Sequence, residues 1–335
     1  MEELRADLHS LSRRGLAPAQ PVRALPAHMT AAMTPEEAFR ATLSDCLAQI
    51  TANAGTLRSG RSVEGLHQLR VGFRRLEATL DAFGKEFALE WLDELRGRAK
   101  VLSSHLALAR DLDVFVCDML EAPVAAAAGN RDSFVRLRVR AESARDAAWA
   151  EVGECVAGAD FAMFLDDLAT LAQSRLPLGR QKTLSQLAEE ILRREARRVK
   201  KRGRKAQSRE ERDMHHLRIS LKKLRYTAEF FASLYPKKKV GRYLKKVRRL
   251  QEKLGDLNDI AHVRSTVTAL IGADGDAPAA VRGARAARKD RAVSQSDLRF
   301  AAGAVTGWYA ARGSRIAKRT LQRFRKFRRL KPFWD

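Results

Sequence analysis

Leu66-His67-Gln68-Leu69-Arg70-Val71-Gly72-Phe73-Arg74-Arg75-Leu76 returns 148 residues later as Met214-His215-His216-Leu217-Arg218-Ile219-Ser220-Leu221-Lys222-Lys223-Leu224. The apolar positions 66, 69, 73, 76, 80 and 83 reappear as Met214, Leu217, Leu221, Leu224, Ala228 and Phe231. Steps of three and four residues keep such side chains on one side of a helix, so each segment predicts an amphipathic helix with a core-facing seam. The cations return too: His67, Arg70, Arg74 and Arg75 map onto His215, Arg218, Lys222 and Lys223. A core requires only the apolar positions, so the recurring charges point to a shared task.

The repetition extends past these helices. Leu106-Ala107-Leu108-Ala109-Arg110-Asp111-Leu112 and Leu254-Gly255-Asp256-Leu257-Asn258-Asp259-Ile260 keep the same offset. Between breakers the pattern is helical throughout, at about 35–58, 62–84, 86–108, 110–121, 131–156 and 160–174, then about 181–203, 209–235, 237–254, 256–272, 277–292 and 296–328. Thr34-Pro35-Glu36 reads as a capped helix start, and the Pro- and Gly-containing residues before it as an extended lead-in over 1–33. Pro177-Leu178-Gly179 marks a boundary between a first bundle, 34–177, and a second, 178–335. Short turns and seven-residue seams predict an all-α chain of two antiparallel bundles packed side by side.

The 335 residues carry 64 Lys and Arg against 40 Asp and Glu, a net +24. Residues 181–255 alone hold 25 of these cations and 8 carboxylates. Such a field suits a polyanion: nucleic acid, inorganic polyphosphate or an anionic membrane face. No apolar run approaches the roughly 20 residues of a membrane helix. The start carries no basic-then-apolar signal segment. Cys46, Cys117 and Cys155 lie far apart, which predicts reduced, buried thiols and a cytosolic protein.

His215, Arg218, Lys222 and Arg225 follow at i, i+3, i+7 and i+10, forming a cationic stripe beside the seam. His67, Arg70 and Arg74 repeat it, with Glu77 in the fourth place. Like charges at this spacing repel, and an anion lying along the stripe would relieve that. On the following helix Arg98 matches Lys246, Lys100 matches Arg248 and His105 matches Lys253. Arg194, Arg197, Arg198 and Lys201 share one side of the helix at 181–203. Metal binding finds little support, because no carboxylate or thiol stands at i+3 or i+4 from His67 or His215. General-base catalysis lacks a nucleophile and an orienting group. A protonated histidine against phosphate oxygens fits the stripe better, beside a structural role at a helix interface. Asp111 and Asp259 read as helix caps, with a second role as anchors for a stripe arginine.

These motifs resemble the CHAD family, the conserved histidine α-helical domain. Its signature is an L-H-x-L-R-[VI]-x-x-[KR]-[KR]-L-R helix given twice, each followed by an R-D-L-D or L-x-D-x-N-D-like segment. The resemblance covers about residues 34–330. It implies two four-helix bundles related by a pseudo-twofold axis, with a basic groove or pore between them that binds inorganic polyphosphate, and association with polyphosphate granules. It also implies that His67, Arg70, Arg74, Arg75, His215, Arg218, Lys222, Lys223 and Arg225 contact the anion. Glu77 departs from the basic residue usual at its position. The lead-in is similar to the segment that joins a triphosphate-tunnel (CYTH) domain to a CHAD domain, although the tunnel domain's E-x-E-x-K start is missing. The expectation is a non-catalytic, cytoplasmic polyphosphate-binding module without cofactor or metal. Phosphate-backbone binding of nucleic acid and a metal-dependent phosphohydrolase are the rival readings.

Overall fold

Thr34 and Thr183 start equivalent helices in the same way. Each hydroxyl accepts a hydrogen bond from the backbone N–H three residues on, at Glu37 (3.2 Å) and Gln186 (3.3 Å). Each of those side chains accepts the threonine N–H in return, a reciprocal capping box. The computed structural model describes residues 20–25, 28–87, 91–126, 131–176, 182–272 and 285–335, without the side chains of Lys85, Arg131 and 285–295. Every regular element among the described residues is helical.

The first half holds α1 (Pro35–Ser59), α2 (Val63–Phe87), α3 (Trp91–His105) and α4 (Ala107–Val114). A π turn (Phe115–Met119), α5 (Glu121–Ala126), α6 (Arg131–Ala157) and α7 (Ala159–Gln173) complete it. The second half holds α8 (Leu184–Lys205), α9 (Glu211–Phe230), α10 (Lys237–Gly272) and α11 (Arg285–Phe327). α2 and α9 begin 148 residues apart. All twelve seam positions expected from the sequence are buried.

Two expected helix breaks are absent. α10 runs through Gly255, because a helical glycine costs only about 1 kcal/mol. The buried Leu250, Leu254 and Val263 that hold this helix down outweigh that cost. α11 likewise continues through 293–295. In the first half the expected break is present, but it falls at Leu106, between α3 and α4, and not at 109.

α1 packs on α2 and α7, and α8 and α10 pack on α9. Gly72 allows the first of these approaches, since a Cβ there would lie 2.8 Å from Ile50 Cγ1. Gly203 does the same for α11, whose Phe324 ring occupies the space a Cβ would take. The halves meet where α2 contacts α9. There Phe83 and Phe231, related by the 148 offset, pack with ring centroids 5.7 Å apart. The main core runs through both halves. A second core joins Phe115, Phe134 and Leu137 to Val263, Leu298 and Val305, so α6 also packs on α11. The boundary expected at 177/178 lies outside the described residues.

Of the lead-in, residues 20–25 and 28–33 are described. The amide of Asn53 bonds both the N–H and the carbonyl of Val22 (3.1 and 2.8 Å). Ser233 does the same for Met29 (3.0 and 2.7 Å), which ties the lead-in to both halves.

Candidate anion-binding site

Because α2 and α9 cross with their stripes toward each other, the cations of both halves converge. Lys222 lies near Arg74, Arg218, Arg225 and Arg70, and burial together with these charges pushes its ammonium down to about 6. Arg218 is influenced by Arg74, the counterpart of Lys222, and Lys222 by Arg70, the counterpart of Arg218, so the charges act on one another across the junction in exchanged pairs. Burial lowers the Arg70 and Arg218 values as well.

Two carboxylates serve this cluster. Asp111 accepts from Arg70 Nη1 at 3.4 Å and lies 3.9 Å from His262 Nδ1 of the other half. Asp259 acts on Arg218 and is itself raised by burial. Neither is a helix cap, since Asp111 sits inside α4 and Asp259 deep inside α10. Their anchoring of arginines is the role the structure supports. Arg70 also donates to the Ala107 carbonyl at 2.9 Å. The Nε groups of Arg74, Arg218 and Arg225 are buried without a hydrogen-bond partner. A half-buried nest of cations with few acceptors is costly to hold unless an anion completes it.

His67 departs from the expectation of a protonated side chain. Burial, followed by the charges of Arg110 and Arg74, pulls it down to about 4, so it is neutral at pH 7. His215 Nδ1 lies 2.9 Å from Asn258 Oδ1 and borders a groove of about 700 Å³ that includes Met214, Leu257, Ile260 and His262.

A family model of the CHAD domain matches residues 41–268. The chain belongs to the CHAD domain family. The crystal structure of the CHAD domain from the plant Ricinus communis aligns with 90% of this chain and 96% of its own length, at TM-score 0.75 and 24% identity. PptA from Streptomyces chartreusis aligns over 87% and 100%, at TM-score 0.59 and 16% identity. At such identities the likeness is one of fold. No curated protein matches the chain in sequence.

Within this CHAD domain the other expected contacts are dispersed. Arg75 is 6% exposed, with its guanidinium 5.6 Å from the Phe230 ring, so it is a core side chain away from the nest. Lys223, its counterpart, pairs with Asp81 and, at 3.5 Å, with Glu77. The acidic departure at Glu77 therefore meets a lysine of the other half. Arg225 approaches Glu229 (3.9 Å), which Arg248 also binds (3.0 Å), so Arg248 reaches the edge of the nest. Arg194 donates to the carbonyls of Asp81 (3.3 Å) and Ala82 (3.1 Å), which pins α8 to α2. Arg198 pairs with the buried Glu195 at 2.7 Å, and both line a separate cleft with Lys201 and Lys223. Lys100 is exposed on α3. Arg197 faces Glu189 and Glu190 across a small hollow, and Lys246 borders another beside Tyr243 and Phe333.

Arg110, which influences both His67 and Arg70, was not marked by the sequence. Its counterpart is the uncharged Asn258, so a search for repeated cations passes over it. Of the three free cysteines only Cys46 is buried; Cys155 is half-buried and Cys117 exposed on the π turn, which corrects the expectation of buried thiols.

Proposed function

We propose that this CHAD domain binds inorganic polyphosphate without transforming it, between two halves related by a pseudo-twofold axis. The observation that carries this reading is the convergence of Arg70 and Arg74 from one half with Arg218 and Lys222 from the other. Cations that depress one another in a half-buried site are relieved by a closely spaced polyanion, and counterion release adds to the gain. Arginine supplies forked donors and Lys222 a mobile point charge, so phosphates are gripped without any sequence being read.

Nucleic acid would satisfy the same charges. Single-strand binding, however, draws on aromatic platforms, and the rings near this site, Phe73, Phe83, Tyr226 and Phe230, are buried in the core. Among the described residues no three His, Cys, Asp or Glu side chains gather as a metal site would require, and no helix is long and apolar enough to cross a membrane. Polyphosphate granules in the cytoplasm are the setting we assign to this binding.

A competition titration tests the reading. Labelled polyphosphate should resist displacement by duplex DNA or RNA at equal phosphate concentration, and its affinity should fall steeply with salt. Equal displacement would favour the nucleic-acid reading. Release of phosphate from polyphosphate or a nucleoside triphosphate with Mg²⁺ or Mn²⁺ would overturn the non-catalytic part.

A further inference from the structure

Next to the nest, around the side of α9, lies a cleft of about 990 Å³ between the end of α2, the start of α3, and α8 with α9. Its walls carry Arg198, Lys201, Arg202 and Lys205 from α8 and His216 and Lys223 from α9. Arg198 and Lys223 have carboxylate partners, in Glu195 and in Asp81 with Glu77. Arg96 at the far wall is likewise occupied by Asp81 and Asp93. Lys201, Arg202 and Lys205 have no ion pair among the described residues, and Arg202 bears on His216. His216 Nδ1 and Glu195 Oε2 are buried without a partner, the latter on a side chain only 2% exposed.

The equivalent place in the first half is closed. The pattern of buried residues aligns α1 with α8 at an offset of 149, set by the capping threonines: Ile50 with Val199, Ala54 with Gly203, Cys46 with Glu195. On that register Arg198, Arg202 and Lys205 replace Gln49, Asn53 and Thr56, all of which are buried. Gln49 bonds across to Gln68 and Asn53 to the lead-in. Gly72, which brings α2 against α1, is replaced by Ser220 in the wall of the cleft. The second half has exchanged a sealed, amide-lined helix contact for an open one lined by cations.

We propose that this cleft is a second phosphate-binding site, separate from the nest, which takes an oligophosphate segment on Lys201, Arg202 and Lys205. The choice of phosphate rests on the function proposed above. His216 supplies a ring nitrogen for a phosphate oxygen that arrives protonated or protonates the ring, and Arg198 can turn from Glu195 to the anion. Two sites on different sides of α9 make the module bivalent. One copy then holds two chains, or two parts of one chain, and long polyphosphate is drawn together.

Calorimetric titration with tripolyphosphate at low salt tests this. The wild type should bind two equivalents. Lys201→Ser/Arg202→Gln/Lys205→Ser, which removes exposed or half-exposed charges only, should bind one. Arg218→Ala/Lys222→Ala should keep the other. Light scattering on mixing with long polyphosphate should rise for the wild type and stay flat for the cleft variant. A wild-type stoichiometry of one, or two equivalents left in the cleft variant, overturns the proposal and leaves the central reading standing. Two equivalents in the Arg218→Ala/Lys222→Ala protein would sink the central reading. Loss of all binding in that variant would show that the cleft does not act separately.

Discussion

Arg70 and Arg218 hold the same place in the two halves, yet their surroundings differ. Arg70 is fixed by the Ala107 carbonyl at 2.9 Å and the Asp111 carboxylate at 3.4 Å. Arg218 has Asp259 nearby but a buried Nε with no partner. One turn further on, Arg74 and Lys222 face each other's half, whereas Arg75 sinks under Phe230 and its counterpart Lys223 reaches Asp81. The repeated motif keeps the place of each of these positions on its helix. Whether the charge there is structural or free to bind is decided by what the neighbouring elements bring to it.

The largest test of this contrast is the loss of the free charges. Arg218→Ala/Lys222→Ala should weaken polyphosphate binding by roughly a hundredfold or more at low salt, since each charge-assisted bond contributes about 1.5–3 kcal/mol. Lys237→Ala/Lys238→Ala, in an exposed cationic run, should change it less than about threefold. Equal losses in a titration would mean that attraction is diffuse and the two kinds of charge do not differ.

Arg75→Ala should act on the fold instead, lowering stability by about 2–3 kcal/mol through lost packing over Phe230 while leaving the affinity of the folded protein nearly unchanged. Lys223→Ala, at the matching position, should cost about 1 kcal/mol or less. Denaturant midpoints compare them, and equal costs would erase the distinction.

Lys222→Met should stabilise the unliganded domain by about 1–4 kcal/mol at neutral pH while weakening binding, because folding must strip the proton from a lysine placed among like charges and methionine carries none. A lower denaturant midpoint than wild type would show that the ammonium is compensated after all.

The pH dependence of binding follows from the same lysine. Its value in the fold, about 6, lies below the ordinary 10.5, so folding favours the neutral amine. That contribution is full above pH 10.5 and is lost as pH falls toward 6. A bound polyanion reverses the preference, so binding takes up protons near neutrality. Affinity should rise as pH falls from 8 to 6 and level off below, with a further rise toward 4 from His67. The first rise should vanish in Lys222→Met. Titrations in buffers of different ionisation enthalpy measure the uptake, and a flat profile for the wild type would contradict it.

The smallest effect concerns the broken and unbroken helices. Gly255 matches Ala107, and nothing lies within 4 Å of a Cβ added there. Gly255→Ala should raise stability by about 0.5–1 kcal/mol. A loss on thermal unfolding would mean that the glycine has a packing role.

The repeated seams, the helix starts at Thr34 and Pro35, and the stripe residues were legible from the sequence because three- and four-residue periodicity and capping act within one segment. The sequence read Gly255 as a stop, since local propensity carries no knowledge of the buried leucines that keep α10 continuous. It put capping first and arginine anchoring second for Asp111 and Asp259 for the same reason: their partners, Arg70 and Arg218, are over 40 positions away in the chain.

By itself, then, the sequence determined an all-α CHAD chain, the return of its stripe motif 148 residues on, and which face of each helix carries charge. The tertiary structure alone decided that the charge of Arg74 bears on Lys222 while Arg75 is buried. It also decided that His67 is neutral, and that one helix contact is sealed with amides while its counterpart opens into a cationic cleft. Periodicity fixes the direction of a side chain from its own helix axis. The dielectric and the charges at the end of that direction come from other helices, and only their packing sets them.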